Sequence, residues 1–250
     1  MRGLVTALRT LTVLPVPGKD AVRFSSSLHW FPVVGFLLGI VEAGFGYLVM
    51  LSGWSEIAAA GVLLVGVVVT RGIHADGFAD VIDGFFGGTT VEARLRIMKD
   101  PAVGSFGAIA LILLFLFKWV VLVRLLSLGL YVWIVAGVML ARLVQVIVAS
   151  SLPYARSEGG TAAGFVEGAG ALHIFVAILL SVIGLVIVSN GMLLPGGIAL
   201  FTALLSAGLT ALVSLKKIRG VTGDVLGASS EITEVLVWSA VAFWVEVPFI

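Results

Sequence analysis

Seven stretches of this chain, residues 29–51, 56–73, 106–127, 130–151, 171–190, 192–214 and 231–249, are apolar over roughly the length a helix needs to cross a bilayer. That feature limits the fold sharply. Backbone amides and carbonyls in lipid must find partners within their own segment, which leaves helices for runs of this length. The expected fold class is all-α: a polytopic integral membrane protein of about seven transmembrane helices, forming a single membrane-embedded domain over residues 1–250. Of the 250 residues, 60% are hydrophobic and only 12% are charged, and the mean hydropathy is +1.19. One water-soluble core could not hide so much apolar surface. The absence of cysteine excludes disulfides, iron–sulfur clusters, thiolate metal sites and cysteine nucleophiles together. A net charge of +1 gives no basis for a nucleic-acid partner. The opening MRGLVTALRTLTVLPVPG is interrupted by Arg9 and closed by Pro15 and Pro17, which predicts a short amphipathic piece at the interface rather than a cleaved signal.

Lysine and arginine set the expected orientation. With the N-terminus in the cytoplasm, one side receives Arg2, Arg9, Lys19, Arg23, Arg71, Arg94, Arg96, Lys99, Arg156, Lys216, Lys217 and Arg219, and the opposite loops receive none. The positive-inside rule therefore predicts a protein of the cytoplasmic (inner) membrane, N-terminus in and C-terminus out, with an active site facing the cytoplasm. The connections 74–105, 152–170 and 215–230 all open on that side. The fifth and sixth runs are separated only by Asn190 and Gly191, with Pro195 soon after, which predicts a tight hairpin.

The first inner connection begins HADGFADVIDG, residues 74–84. Asp76, Asp80 and Asp83 follow one another at i, i+4 and i+7, a spacing that aligns three carboxylates on one helix face. Each unneutralised pair costs about 0.2–0.5 kcal/mol. All-oxygen ligands of this kind favour Mg²⁺, or Mn²⁺ in its place, with positions left for water and phosphate oxygens. A solvated acidic face is the other reading of the same residues. RLRIMKD follows, with Arg94, Arg96, Lys99 and Asp100. Cations beside a metal-binding face suit a phosphate or diphosphate ester, although they also serve as ordinary inner-side anchors. Gly84, Gly87, Gly88, Gly104 and Gly107 surround a helix start at Ser105, where free amides could receive an anion; glycine also permits close helix packing. The second inner connection, SLPYARSEGGTAAGFVEGAG, carries Tyr154, Arg156, Glu158 and Glu167 and reads as a substrate-covering loop or a plain connector. The third, KKIRGVTGDVLGASSE, places Asp224 in a glycine-flanked turn, as a further metal ligand, a base or simple turn chemistry. Ser230 and Glu231 are expected to open the last helix.

HADGFADVIDG resembles the H-x-D-G-x-x-D-x-x-D-G signature of the cobalamin synthase family, the adenosylcobinamide-GDP ribazoletransferases or cobalamin 5′-phosphate synthases. The likeness extends to RLRIMKDPAVGSFGAIAL, to TGDVLGASSE, and to the early TVLPVPG and WFPVVGFLLG, so it covers nearly the whole chain in order. Ala75, Phe78, Val81 and Ile82 are apolar residues between the signature's polar positions. The resemblance implies an integral membrane transferase of the last stage of cobalamin assembly. It would join adenosylcobinamide-GDP to α-ribazole or its 5′-phosphate, release GMP and require Mg²⁺, with membrane lipid around it. A second copy of the chain, or other cobalamin-assembly enzymes, would be its protein partners. On this reading Asp76, Asp80, Asp83 and Asp100 hold metal, Asp224 is a further ligand or base, and Arg94, Arg96, Lys99 and Ser105 bind phosphate. His74, whose ordinary pKa lies near 6.5, would deprotonate the attacking hydroxyl or touch phosphate. His29 and His173, at run ends, are assigned no role.

Two other functions compete. A CDP-alcohol phosphatidyltransferase-like lipid enzyme also uses spaced Asp and Gly, but its D-G-x-x-A-R pattern is broken here, since no Arg follows Asp76-Gly77 at the required place. A secondary transporter would explain Glu42, Lys118 and Arg142 inside apolar runs, where a charge costs about 2.5–3.5 kcal/mol. A buried ion pair of Glu42 with either cation explains them equally. A transporter concentrates polar groups at the midplane, whereas this chain places most of them at the inner rim, which favours the enzyme.

Overall fold

The apolar runs become helices, with two departures that bear on function. The computed structural model describes residues 1–244, and among these the β pairing is confined to an isolated bridge between Tyr154 and Val221. The helices are α1 (Arg2–Leu11), α2 (Phe31–Met50), α3 (Ser55–Val69), α4 (Ile73–Gly87), α5 (Val91–Ile97), α6 (Ser105–Ser127), α7 (Tyr131–Ser151), α8 (Ala163–Val166), α9 (Ala171–Ser189), α10 (Leu193–Ile218) and α11 (Gly223–Trp244). A 3₁₀ segment, Phe24–Trp30, leads into α2, where Pro32 occupies the first turn and removes no helix hydrogen bond. Six of these segments are long and apolar enough to cross a membrane; α3 and α4 pass that test only as a pair bent by 89°. The chain is therefore an all-α polytopic membrane protein.

The bend is the first departure, because residues 74–105 do not form a loop. A double hydrogen bond closes α3: the Gly72 N–H donates to Val67 O at 2.8 Å and the Arg71 N–H to Val68 O at 3.2 Å. This is the arrangement that stops a helix on left-handed residues, and both Arg71 (φ 57°) and Gly72 (φ 65°) adopt that conformation. The chain then leaves as α4, which lies across the N-terminal ends of α6 and α11. The second departure is α11, which begins at Gly223 rather than at 231, so Asp224 sits in its first turn and Ser230 and Glu231 in its buried interior. The end of the expected last run, 245–249, lies outside the described residues.

The core is α7, buried almost continuously from Trp133 to Ala149. Helix α2 approaches it through Gly35 and Gly39; a Cβ on Gly39 would stand 2.6 Å from the Val135 Cα. Such small-residue contacts let backbones meet where lipid supplies no hydrophobic drive. Outer helices keep apolar faces exposed, as with Ile109, Ile112, Leu113 and Leu116 on α6. The tight hairpin between α9 and α10 forms as expected, on Asn190 and Gly191 at positive φ. The rings of His29 and His173 stack with centroids 4.4 Å apart, joining the start of α2 to that of α9.

One end of the bundle collects the polar connections. Amphipathic α1 is tied to the α3–α4 corner by the Val13 N–H, which donates to Val69 O at 2.7 Å. Lys217 Nζ donates to Phe85 O at 3.1 Å, and Arg94 Nη1 to Lys217 O at 3.0 Å, joining α4 and α5 to the end of α10.

Candidate active site

At about 100° per residue, Asp76, Asp80 and Asp83 share a narrow sector of α4, whereas His74 projects from the opposite side. Their environments differ: Asp76 is exposed, Asp80 half-buried and Asp83 buried. Both Asp83 oxygens accept backbone hydrogen bonds, from the Gly104 N–H at 2.8 Å and the Gly107 N–H at 2.9 Å. The start of α6 is thus an anion site, as its glycines suggested, and the anion is Asp83 itself. Glycine is required at 104 and 107 because a Cβ at either would enter the carboxylate. Those amides are not open to phosphate, and Ser105 is exposed beside them.

Asp224 takes Asp83's expected place beside Asp76 and Asp80. The two helices meet where Gly77 packs on the Asp224 backbone; a Cβ at Gly77 would lie 2.8 Å from the Asp224 carbonyl oxygen. Gly227 packs in the same way on the His74 backbone. Burial, then the negative charges of Asp224 and Asp76, push the Asp80 carboxyl up to about 7, against the opposing pull of Arg156. Asp224 Oδ2 accepts from Arg156 Nη2 at 2.7 Å and from Thr222 Oγ1 at 3.2 Å.

The other expected residues are engaged elsewhere. Asp100 Oδ1 closes a turn on the Ala102 N–H at 2.9 Å. Lys99 Nζ pairs with Glu158 at 2.6 Å, and Arg94 holds the end of α10. Arg96 is exposed on α5. His74 is 3% exposed and lines a cavity of about 30 Å³ with Glu42, Lys118, Arg142, Glu231 and Glu234. Burial, then Arg142 and Lys118, hold its imidazole well below the usual 6.5, so it is neutral and faces away from the acidic sector. This placement does not suit it to deprotonate a hydroxyl bound there.

Beneath α4 the buried charges form a network. Lys118 Nζ lies 2.5 Å from Glu231 and 2.6 Å from Glu234, and Arg142 contacts Ser230 and, at 3.5 Å, Glu234. The expected partner, Glu42, lines the same cavity. The sequence reading missed Glu234 and the pairing of Arg156 with Asp224. Arg156 carried one signal, as the single cation of the 152–170 connection.

The donors Asp76, Asp80 and Asp224 are all oxygen, the ligand chemistry that a hard divalent cation takes. Among the described residues, no three acidic or histidine side chains are already arranged to hold one. At Asp224 the compensating cation is Arg156.

These features define a polytopic membrane enzyme with an acidic site at one rim of its bundle. The chain belongs to the cobalamin-5-phosphate synthase family, whose sequence profile matches residues 3–242. It is 68% identical over 243 residues to an adenosylcobinamide-GDP ribazoletransferase of Chlorobium phaeobacteroides, covering 97% of this chain and 98% of that one. Like-named proteins of Prosthecochloris aestuarii (61% identical; 94% and 95% covered) and Syntrophobacter fumaroxidans (37%; 95% and 96%) are also similar over nearly their full lengths. No solved structure matches. The protein is a transferase of cobalamin synthesis.

Proposed function

We propose that the chain joins adenosylcobinamide-GDP to α-ribazole or its 5′-phosphate, releasing GMP, with Mg²⁺ at the acidic site. The observation that carries this reading is the meeting of Asp76 and Asp80 on α4 with Asp224 on α11, in a chain whose relatives are named for that transfer. The ribose 3′-hydroxyl oxygen would bond to the phosphorus on the corrinoid's aminopropanol arm as the bond from that phosphorus to GMP breaks. Asp76, Asp80 and Asp224 would hold the cation. When bound, Mg²⁺, or Mn²⁺ in its place, neutralises charge on the diphosphate oxygens. In the metal-free site Asp80 has a raised proton affinity, so the cation would displace its proton on binding. Asp83, both of whose oxygens accept from the α6 amides, would position α4 on α6. The shared basic rim supports an inner-membrane orientation with this site in the cytoplasm, N-terminus in and C-terminus out.

The test is GMP release by detergent-purified protein given both substrates, with Mg²⁺ and then with excess EDTA. Magnesium-dependent GMP, appearing with a coupled corrinoid product, is the expected result. Asp80→Asn is expected to lower the rate by at least about a hundredfold while the protein stays folded. Release of GMP undiminished by EDTA would overturn the metal assignment, and no release from folded protein would move CDP-linked lipids to the front.

A further inference from the structure

We infer that Arg156 is a diphosphate-binding residue of this site, and that its bond to Asp224 is the resting position of a guanidinium that changes partner when substrate and cation arrive. The inference rests on the reading above. Of the sequence-derived phosphate ligands, Arg94 is held on the α10 carbonyl and Lys99 on Glu158, Arg96 and Ser105 are exposed, and the α6 amides are taken by Asp83. Arg156 differs from them, because its partner is one of the site's own carboxylates.

Its backbone is tied down on one side and followed by an exposed ion pair on the other. The Ala155 N–H donates to Val221 O and the Val221 N–H to Pro153 O, each at 2.9 Å, stitching this connection to the start of α11. Beyond it, Glu158 is held by Lys99 at 2.6 Å. What can move is the side chain, 12% exposed.

The guanidinium is incompletely used. Among the described residues its hydrogen bonds both come from Nη2, to Asp224 at 2.7 Å and to the Met98 carbonyl at 3.4 Å, while its buried Nε has no partner. A structural arginine–carboxylate pair commonly engages two parallel donors; this one is held end-on, leaving its forked edge unengaged. That edge matches two phosphate oxygens. A divalent cation taken up by Asp224 would repel the guanidinium, and the nearest compensating anion would be the diphosphate bound to the same cation.

This exchange predicts opposite changes in two affinities, which a strut for the loop would not produce. The probes are Mn²⁺ alone, followed by electron paramagnetic resonance, and GDP in saturating Mn²⁺, followed by calorimetry, on purified wild type, Arg156→Ala and Arg156→Lys. In Arg156→Ala, Mn²⁺ should bind severalfold more tightly and GDP about 10–100-fold more weakly, as for loss of charge-assisted hydrogen bonds. Arg156→Lys should melt like wild type yet bind GDP less tightly, since an ammonium cannot fork. Parallel losses of Mn²⁺ and GDP with a lowered melting temperature, or GDP binding unchanged in Arg156→Lys, would overturn the proposal. Failure of wild type to bind GDP would instead sink the substrate reading itself.

Discussion

Asp80 and Asp83 are three residues apart on one face, yet burial and partners give them different work. Asp83→Asn would leave an amide facing the α6 N–H groups, and it should cost about 1–3 kcal/mol in unfolding while Mn²⁺ binding persists. Asp80→Asn should do the reverse. The raised Asp80 also sets a pH dependence. Below about 7 the cation must displace its proton, so Mn²⁺ affinity should fall by up to about tenfold per pH unit below 7 and level off above it, as titration calorimetry across pH 5–9 would show. In the metal-free protein the sign for folding follows from the same shift. Between its ordinary 3.8 and about 7 the folded state holds a proton that the unfolded state releases, so stability falls as pH rises through that window, and Asp80→Asn should remove the slope. The acidic face was legible because helical spacing is local. His74 was grouped with it by adjacency, although a two-residue offset on a helix is about 200° of rotation. The capping role of Asp83 was hidden because its partners lie 21 and 24 residues further on.

At the scale of elements, the site depends on how closely α4 can approach α11. Gly77→Ala would bring a methyl group against the Asp224 backbone, and neither helix can yield there without moving the carboxylates. The expected outcome is a loss of about 1–3 kcal/mol in thermal unfolding together with strongly reduced GMP release. Most of the spans could be read from the sequence because apolar length is a property of the segment alone. The start of α11 could not. Asp224 and Ser229 read as loop chemistry and Ser230 and Glu231 as a helix start, and what makes this stretch helical interior is Lys118 on α6, Arg142 on α7 and Ser206 on α10, the last 2.8 Å from Thr233. The course of α4 was obscured in a related way, since Val81 and Ile82, between its carboxylates, line an apolar cavity of about 250 Å³ with residues of α10 and α11.

Across the whole molecule, the buried charges tie three membrane-length helices together directly below the site. Lys118→Met should leave Glu231 and Glu234 without their shared cation and cost about 3–5 kcal/mol, read as a lower melting temperature in detergent with Mn²⁺ binding lost only as the fold is lost. The stripe Asp224, Gly227, Glu231, Glu234 runs from that site into the bundle along one side of α11. This bears on how the protein is made. Helix α11 has the lowest mean hydropathy of the six membrane-length segments, 1.3 against 2.0 or more, and its acids weigh against entering lipid alone. Synthesis runs from the N-terminus, so Lys118 and Arg142 are already embedded when α11 emerges from the ribosome. The last helix thus enters as their counter-ion, and a nascent chain stopped before Gly223 would hold Lys118 and Arg142 beside Glu42 but without Glu231 and Glu234, the acids that pair with them.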